Sequence, residues 1–451
     1  MPYENTNIAI IHNNRLFLAI LSLKSSSKTL KKPYLHKKMC KKSKIVHKIL
    51  CNCVSLQKNE VMDVTLTRIM DQRVNAVSKA FKRYMYGQIN WERQMLGLVG
   101  PRGVGKTTLF LQYIHEHRSE TKMFYVSADN VYFSSHSLID VADQFVREGG
   151  KHLFIDEIHK YGNWSQELKQ IYDDHPDLRV SFTGSSILDI THGEADLSRR
   201  APIYRMQGLS FREYLALFHG LSFPVATLDD VLSCKVQLPG VSHPLPWFHE
   251  YLQHGYYPFG RDPQFEMILN QIVEQTMDID IPQFAKMTVS TGRKLRHLLS
   301  IIAKSVPFKP VMDSLATVVS VSRNVLPDYF VYMEKAGMIG QLRDDTGGIR
   351  GLGKVEKVYL DNTNLAYVMG GAMTDIGNIR ETFFYNQMRV VGDVIASRTA
   401  DFEIGDITFE VGGKNKNSRQ IKHTSNAYIV KDDLEIGAGN QIPLWTFGMT
   451  Y

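Results

Sequence analysis

Residues 100–107, Gly-Pro-Arg-Gly-Val-Gly-Lys-Thr, constrain this chain more than any other stretch, because they satisfy G-x-x-x-x-G-K-[ST] at every fixed position. Gly100, Gly103 and Gly105 let consecutive backbone N–H groups turn inward as an anion nest, spanning Pro101, Arg102 and Val104. A helix that opens at such a loop adds its positive end to the nest. Lys106 then supplies a point charge to β- and γ-phosphates, and the Thr107 hydroxyl is a magnesium ligand, with Thr108 next in the same turn. The flanks agree. An apolar run (95–99, MLGLV) precedes the loop, and residues 107–117 carry Leu109, Phe110, Tyr113 and Ile114 on one helical face. The expectation is strand, phosphate loop, helix, with ATP and Mg²⁺ as ligands. The bland alternative is a tight turn with a chance lysine.

A second motif lies some fifty residues on. His152-Leu-Phe-Ile155 reads as a buried strand that delivers Asp156 and Glu157 to its C-terminal end, where ligands bind in open α/β sheets. Asp156 is the expected Mg²⁺ residue, acting through water, and Glu157 the residue that orients and polarises an attacking water. Two adjacent acids can also cap a helix. Thr183-Gly-Ser-Ser186 ends the following strand, so Thr183 and Ser185 are candidates to reach the γ-phosphate or the water; the same four residues also make an ordinary turn. Arg199 and Arg200 follow a loop, from which an arginine of the same or a neighbouring subunit can stabilise transferring phosphate. Paired surface arginines are as often simply solvated.

Buried strands (MFYVS, HLFI, LRVSFTG) alternate with helices through this region, which predicts a parallel sheet covered on both faces. After Ser210 the texture turns helical. Residues 292–360 read as three short helices and a hairpin, an arrangement of winged-helix type. Its third helix is expected to start at Asn324 with Pro327 in the first turn, and its hairpin to bear Thr346, Gly347 and Gly348 at the tip. From about 379 a helix precedes short strands in a small α/β unit. The expected segments are 1–61, 62–210, 211–291, 292–360 and 361–451.

Charge adds little about partners. Residues 1–60 hold 12 Lys plus Arg against Glu4 and Glu60, a local +10, so the remainder nets −3 beneath a total of +7. The basic pI therefore describes the leader and not the folded part. Residues 1–61 read as an inert or disordered basic tail, or as an extension from too early a start codon, with a nucleic-acid or membrane arm as the alternative. His36, Cys40, His47, Cys51 and Cys53 lack the paired spacing of a zinc module. One cysteine in the body, Cys234, fits a reducing, cytoplasmic setting, and no apolar stretch is long enough to span a membrane.

The runs GPRGVGKTT, HLFIDEIHKYGNWSQELKQIYD, RVSFTGSSILDI and LSRRAPIYRMQGLSFREYL resemble one prokaryotic family of AAA+ ATPases. Its C-terminal part is a winged helix plus a domain similar to restriction-endonuclease-like (PD-(D/E)XK) nucleases. The resemblance covers about residues 65–451, with FEVGGKNK (409–416) and IPLWTFG fitting the tail. It implies an α/β protein: a P-loop AAA+-type parallel core, a helical region, a winged helix and a small nuclease-like α/β domain. It further implies Lys106 and Thr107 for nucleotide, and Asp156 and Glu157 for Mg²⁺ and hydrolysis. Nucleases of that class use a helix Glu, a strand Asp and Glu-x-Lys on the next strand. Glu381, Asp401 and Glu410 match in order, but position 412 is Gly and the nearest lysine is Lys414, one strand step too far unless Gly412-Gly413 bulges. A decayed nuclease fold is the expectation.

DNA contact is equivocal. Arg323 and Lys335 are balanced by Asp328 and Glu334, while the hairpin adds Arg343, Arg350, Lys354 and Lys357. The sequence thus supports a cytoplasmic Mg²⁺-ATP-dependent switch or motor, with DNA and a homo-oligomer as candidate partners. An ATP-gated nuclease and a nucleotide-sensing module with negligible turnover are the alternatives.

Overall fold

Strand β1 (Met95–Gly100) lies inside a parallel sheet with β2 (Met123–Ser127), β3 (His152–Asp156), β4 (Arg179–Ser185) and β5 (Ile203–Arg205), ordered β2-β3-β4-β1-β5. This is a computed structural model, and it describes residues 62–185, 197, 199–305, 309–345, 354–371, 374–416, 421–422 and 424–451. The leader, Ser186, Arg350 and the hairpin tip at Thr346, Gly347 and Gly348 lie outside the described residues. Residues 62–451 hold together as one compact unit.

The side chains of β1 to β4 alternate between two buried faces. Leu96, Leu98, Tyr125 and Phe154 join one apolar cluster, and Met95, Val99, Phe124, Val126, Leu153, Ile155 and Phe182 join the other. Helices cover both faces: α1 (Val64–Ala76), α2 (Lys106–His117), α3 (Leu138–Arg147) and α4 (Trp164–Asp174). Because β4 sits between β1 and β3, the ends of these three strands meet at one edge of the sheet.

Helix α1 stops at Ala76, with Val77 extended (φ −67, ψ 133). The chain beyond it is tied to α2, where the Gln112 amide donates to the carbonyls of Ser78 and Phe81 at 2.7 and 2.8 Å. The parallel sheet is followed by α5 (Phe211–His219), whose Ser210–Glu213 capping box fixes its start, and by α6 (Phe265–Glu274), which opens into a wide π-turn at Gln275–Asp280.

Helices α7 (Val289–Ser305), α8 (Met312–Val319) and α9 (Leu326–Lys335) lead to an antiparallel pair, β6 (Ile339–Arg343) and β7 (Val355–Leu360). Asn324 does not cap α9. It lies inside a single turn, Arg323–Val325, and the helix starts at Leu326 with Pro327 supplying the fixed φ of its first turn. Then come α10 (Thr363–Gly370) and α11 (Ile376–Val391). The last sheet is ordered β12-β11-β10-β9-β8, from β8 (Val394–Ala396), β9 (Phe402–Ile404), β10 (Ile407–Gly412), β11 (Ala427–Lys431) and β12 (Gln441–Pro443). It is antiparallel from β8 to β10 and parallel from β10 to β12. The expected final strand is shorter than the IPLWTFG run suggests, since Leu444–Met449 forms a buried 3₁₀ turn. Phe384 of α11 packs at 5.0 Å from the rings of Phe402, Phe409 and Phe447, which fastens that helix to the sheet. No described helix is long and apolar enough to cross a membrane.

Candidate nucleotide site

The loop between β1 and α2 has the backbone its glycines allow. Gly103 and Gly105 take φ of +80 and +100, which only glycine adopts freely. Gly100 is required for a different reason: a Cβ there would meet the Met206 carbonyl oxygen at 2.2 Å. Helix α2 starts at Lys106 with no side-chain cap and no acid in its first turn. By contrast, α3 and α5 both carry capping boxes. The first amides of α2 thus lack a side-chain acceptor, as an anion site at a helix start requires.

Lys106 is buried, and its Nζ donates to the carbonyls of Gly100 and Pro101, both at 2.8 Å. Burial pulls its pKa down to about 8 against the opposing pull of Glu157 and Asp156. No ion pair holds it among the described residues. Thr107 Oγ1 donates to Asp156 Oδ2 at 2.8 Å, so the two expected magnesium residues are in contact across α2 and β3. Asp156 also accepts from Tyr125 Oη at 2.7 Å and from Thr183 Oγ1. A hydroxyl and a carboxylate converging on one spot are hard oxygen donors of the kind Mg²⁺ takes, and they fit that ion.

Glu157 sits at φ 52, ψ 38, a left-handed conformation unusual for a non-glycine residue. Thr183 Oγ1 accepts its backbone N–H at 3.0 Å, so β4 fixes the turn that presents the side chain. Burial raises the Glu157 carboxyl above its ordinary value, while Lys106 and Arg102 pull the other way, which places it beside the cations of the loop. Ser185 is buried, and its backbone N–H donates to His159 Nδ1 at 3.3 Å. Thr108 is exposed on α2.

Other expected residues stand elsewhere. Arg102 points to the fully buried Asp280, with Nε and Nη2 at 2.6 and 3.1 Å from its carboxylate; Lys160 joins at 3.2 Å. Burial alone would raise the Asp280 carboxyl, but Arg102 and Lys160 overcome it and hold it below the ordinary aspartate value. Arg200 pairs with Asp173 of α4 at 3.2 Å, and Arg199 is exposed. Both precede β5, whose Ile203 is level with Gly97 of β1. They therefore stand at the edge where the strands begin, opposite the loop in the same chain.

Sequence reasoning missed Arg83. This buried guanidinium pairs with the buried Glu213 at 3.0 Å and donates to the carbonyls of Val104, Gln207 and Gly208 at 2.5–2.8 Å. It braces the loop between β1 and α2 against α5. No local signal reveals it, because its partners lie 21 to 130 positions away.

In the C-terminal unit, Glu381 of α11, Asp401 and Glu410 of β10 come together, but two lysines fill the space. Lys357 of β7 donates to Glu381 at 2.9 Å and to Asp401 at 3.1 Å, and Tyr359 Oη also donates to Glu381 at 2.7 Å. Glu410 is 1% exposed and pairs with Lys416. Lys414 is exposed and is not the partner; the strand ends at Gly412, and a turn at Gly413–Lys416 brings the later lysine back over Gly412. Burial raises the Glu410 carboxyl, Lys416 opposes, and Asp401 adds to the rise.

Residues 92–215 match the model of a family described as AAA domain. The segment is thus similar to AAA domains, on a five-stranded α/β sheet consistent with the P-loop AAA+ type. Among curated proteins, "Uncharacterized protein MJ1637" of Methanocaldococcus jannaschii is 26% identical over 395 residues, covering 77% of this chain and 82% of the relative. Similar solved structures include the Aeropyrum pernix ORC1 protein in complex with DNA, with TM-score 0.29, 12% identity, and coverage of 67% of this chain and 92% of that one. The S. cerevisiae Hsp104–ADP complex has TM-score 0.30 and 15% identity, over 59% of this chain and 39% of that one. AMPPCP-bound DnaA from Aquifex aeolicus has TM-score 0.23 and 12% identity, over 60% and 88%. Scores at this level carry no argument about function.

Proposed function

We propose that the chain binds Mg²⁺-ATP at residues 100–108 and hydrolyses it, acting as a nucleotide-driven switch or motor on its C-terminal half. The observation that carries this reading is the meeting of the uncapped α2 start, Lys106, Asp156, Glu157 and Thr183 at one sheet edge. Magnesium held by Thr107 and Asp156 would draw charge from the β- and γ-phosphate oxygens. Lys106 exchanges its two carbonyl partners for phosphate oxygens, and the α2 amides take the remaining charge. Glu157 accepts the proton of the attacking water, while Thr183 keeps both acids in place. Mg²⁺-ATP at a hundredfold over its dissociation constant should stabilise the fold by about 2.7 kcal/mol. Phosphate release that disappears in Glu157→Gln, with this stabilisation kept, supports an enzyme; binding with no turnover in the wild type supports a silent nucleotide sensor.

In this reading 62–210 is the nucleotide-binding core, 211–291 a helical relay, 292–360 a winged helix and 361–451 a nuclease-like unit, in a cytoplasmic protein. Homo-oligomerisation would give Arg199 and Arg200 a route to a neighbour's nucleotide, since in their own chain they stand at the opposite edge. DNA contact has weak support: Arg323, Arg343, Lys354 and Lys357 are paired with Asp313, Glu334, Glu356 and the Glu381–Asp401 pair. A nuclease gated by ATP is the second reading, favoured by the convergence of Glu381, Asp401 and Glu410. DNA cleavage with Mg²⁺ or Mn²⁺ that vanishes in Asp401→Ala would establish it.

A further inference from the structure

His159 lies in the short turn Ile158–Lys160, directly after the acid pair, and its side chain is wholly buried. The ring packs against Phe284 with centroids 5.8 Å apart. Two of its atoms face the candidate site. Nδ1 accepts the backbone N–H of Ser185, at the end of β4. Burial first, then the nearby Lys160, hold the ring's pKa down to about 3, so the imidazole is neutral. A neutral imidazole carries one hydrogen, and with Nδ1 accepting, that hydrogen is on Nε2. Nε2 stands 3.3 Å from Glu157 Oε2, and the pair is not yet aligned as a full hydrogen bond. Rotation of the carboxylate would complete it, in the way catalytic hydrogen bonds often tighten only when substrate is bound.

We propose that His159 is a positioning residue for Glu157: its Nε2–H holds one carboxylate oxygen, while Ser185 anchors the ring to β4, leaving the other oxygen turned to the attacking water. This rests on the ATPase reading. Glu157 needs such a guide because its backbone sits at positive φ and, among the described residues, its other hydrogen bonds are to its backbone: its N–H donates to Thr183 Oγ1 and its carbonyl accepts from the Lys160 N–H. A carboxylate free to rotate would present its oxygen to the water only part of the time, and misplacement of about 1 Å can cost about a hundredfold in rate.

The test compares His159→Asn and His159→Gln in the full chain, measuring phosphate release and Mg²⁺-ATP affinity. The Asn amide oxygen can replace Nδ1 at Ser185 but stops short of Glu157, whereas the Gln amide nitrogen reaches the place of Nε2. The expected result is a loss of about ten- to hundredfold in kcat for His159→Asn with affinity unchanged, substantial rescue by His159→Gln, and no further loss from His159→Asn in a Glu157→Gln background. Wild-type turnover in His159→Asn would overturn the proposal alone. So would equal losses of turnover and of ATP affinity in both variants, which is the mark of a packing role. A wild type that binds ATP and never turns it over would overturn the hydrolysis reading and this proposal together.

Discussion

The candidate nucleotide site and the C-terminal acid cluster use the same residue types, carboxylates and lysines, and they leave their charges in opposite states. Lys106 rests on two neutral carbonyls, and the start of α2 has no side-chain cap, so positive charge is available to an anion. In the second cluster Lys357 already bridges Glu381 and Asp401, and Lys416 pairs with Glu410. The difference teaches that a ligand site is marked by charge left uncompensated and correctly aimed, and not by an inventory of residues.

The largest effect expected from this contrast is on turnover. Glu157→Gln should lower phosphate release by about 10²–10⁴-fold, whereas Glu410→Gln should leave it unchanged; equal losses would erase the distinction between the two regions. Next comes the brace beneath the loop. Arg83→Ala strands the buried Glu213 carboxylate and should cost about 3–5 kcal/mol in urea denaturation, with a loss near zero showing that α5 does not depend on it.

Lys357→Met should give a smaller change of about 1–3 kcal/mol, because two partly buried carboxylates lose a donor. The variant should also gain stabilisation by Mn²⁺ that the wild type lacks. Mn²⁺ stabilisation of the wild type equal to that of the variant would mean that Lys357 does not occupy the place of a cation.

The smallest effect is on pH dependence. The Glu410 carboxyl is raised by burial above its ordinary 4.5, so the folded state keeps that proton to higher pH than the unfolded chain. Its contribution is complete below about 4.5 and is lost as pH rises through the higher folded value. Glu410→Gln should therefore show a flatter stability curve over that window, measured by urea midpoints; an unchanged slope would contradict the assignment.

What could be read from the sequence was what lies close along the chain. The glycine-rich loop, the adjacent Asp156 and Glu157 and the buried strands depend on spacings of a few residues, and the strands and helices of residues 95–185 follow them closely. Arg83, Asp280, Lys357 and Lys416 were not legible as site residues. The first three act on partners 21 to 178 positions away, and Lys416 depends on a turn that a strand's period of two does not foresee. The same limit applies just past α1, where the Gln112 amide of α2 holds the carbonyls of Ser78 and Phe81.

The most direct measurement is the thermal unfolding of wild type and Lys106→Ala with and without saturating Mg²⁺-ATP. A rise in Tm for the wild type, corresponding to about 2.7 kcal/mol at a hundredfold excess over the dissociation constant, and none for the variant is the predicted result. No rise in the wild type, or the same rise in both, would contradict the claim that this loop grips a nucleotide's phosphates.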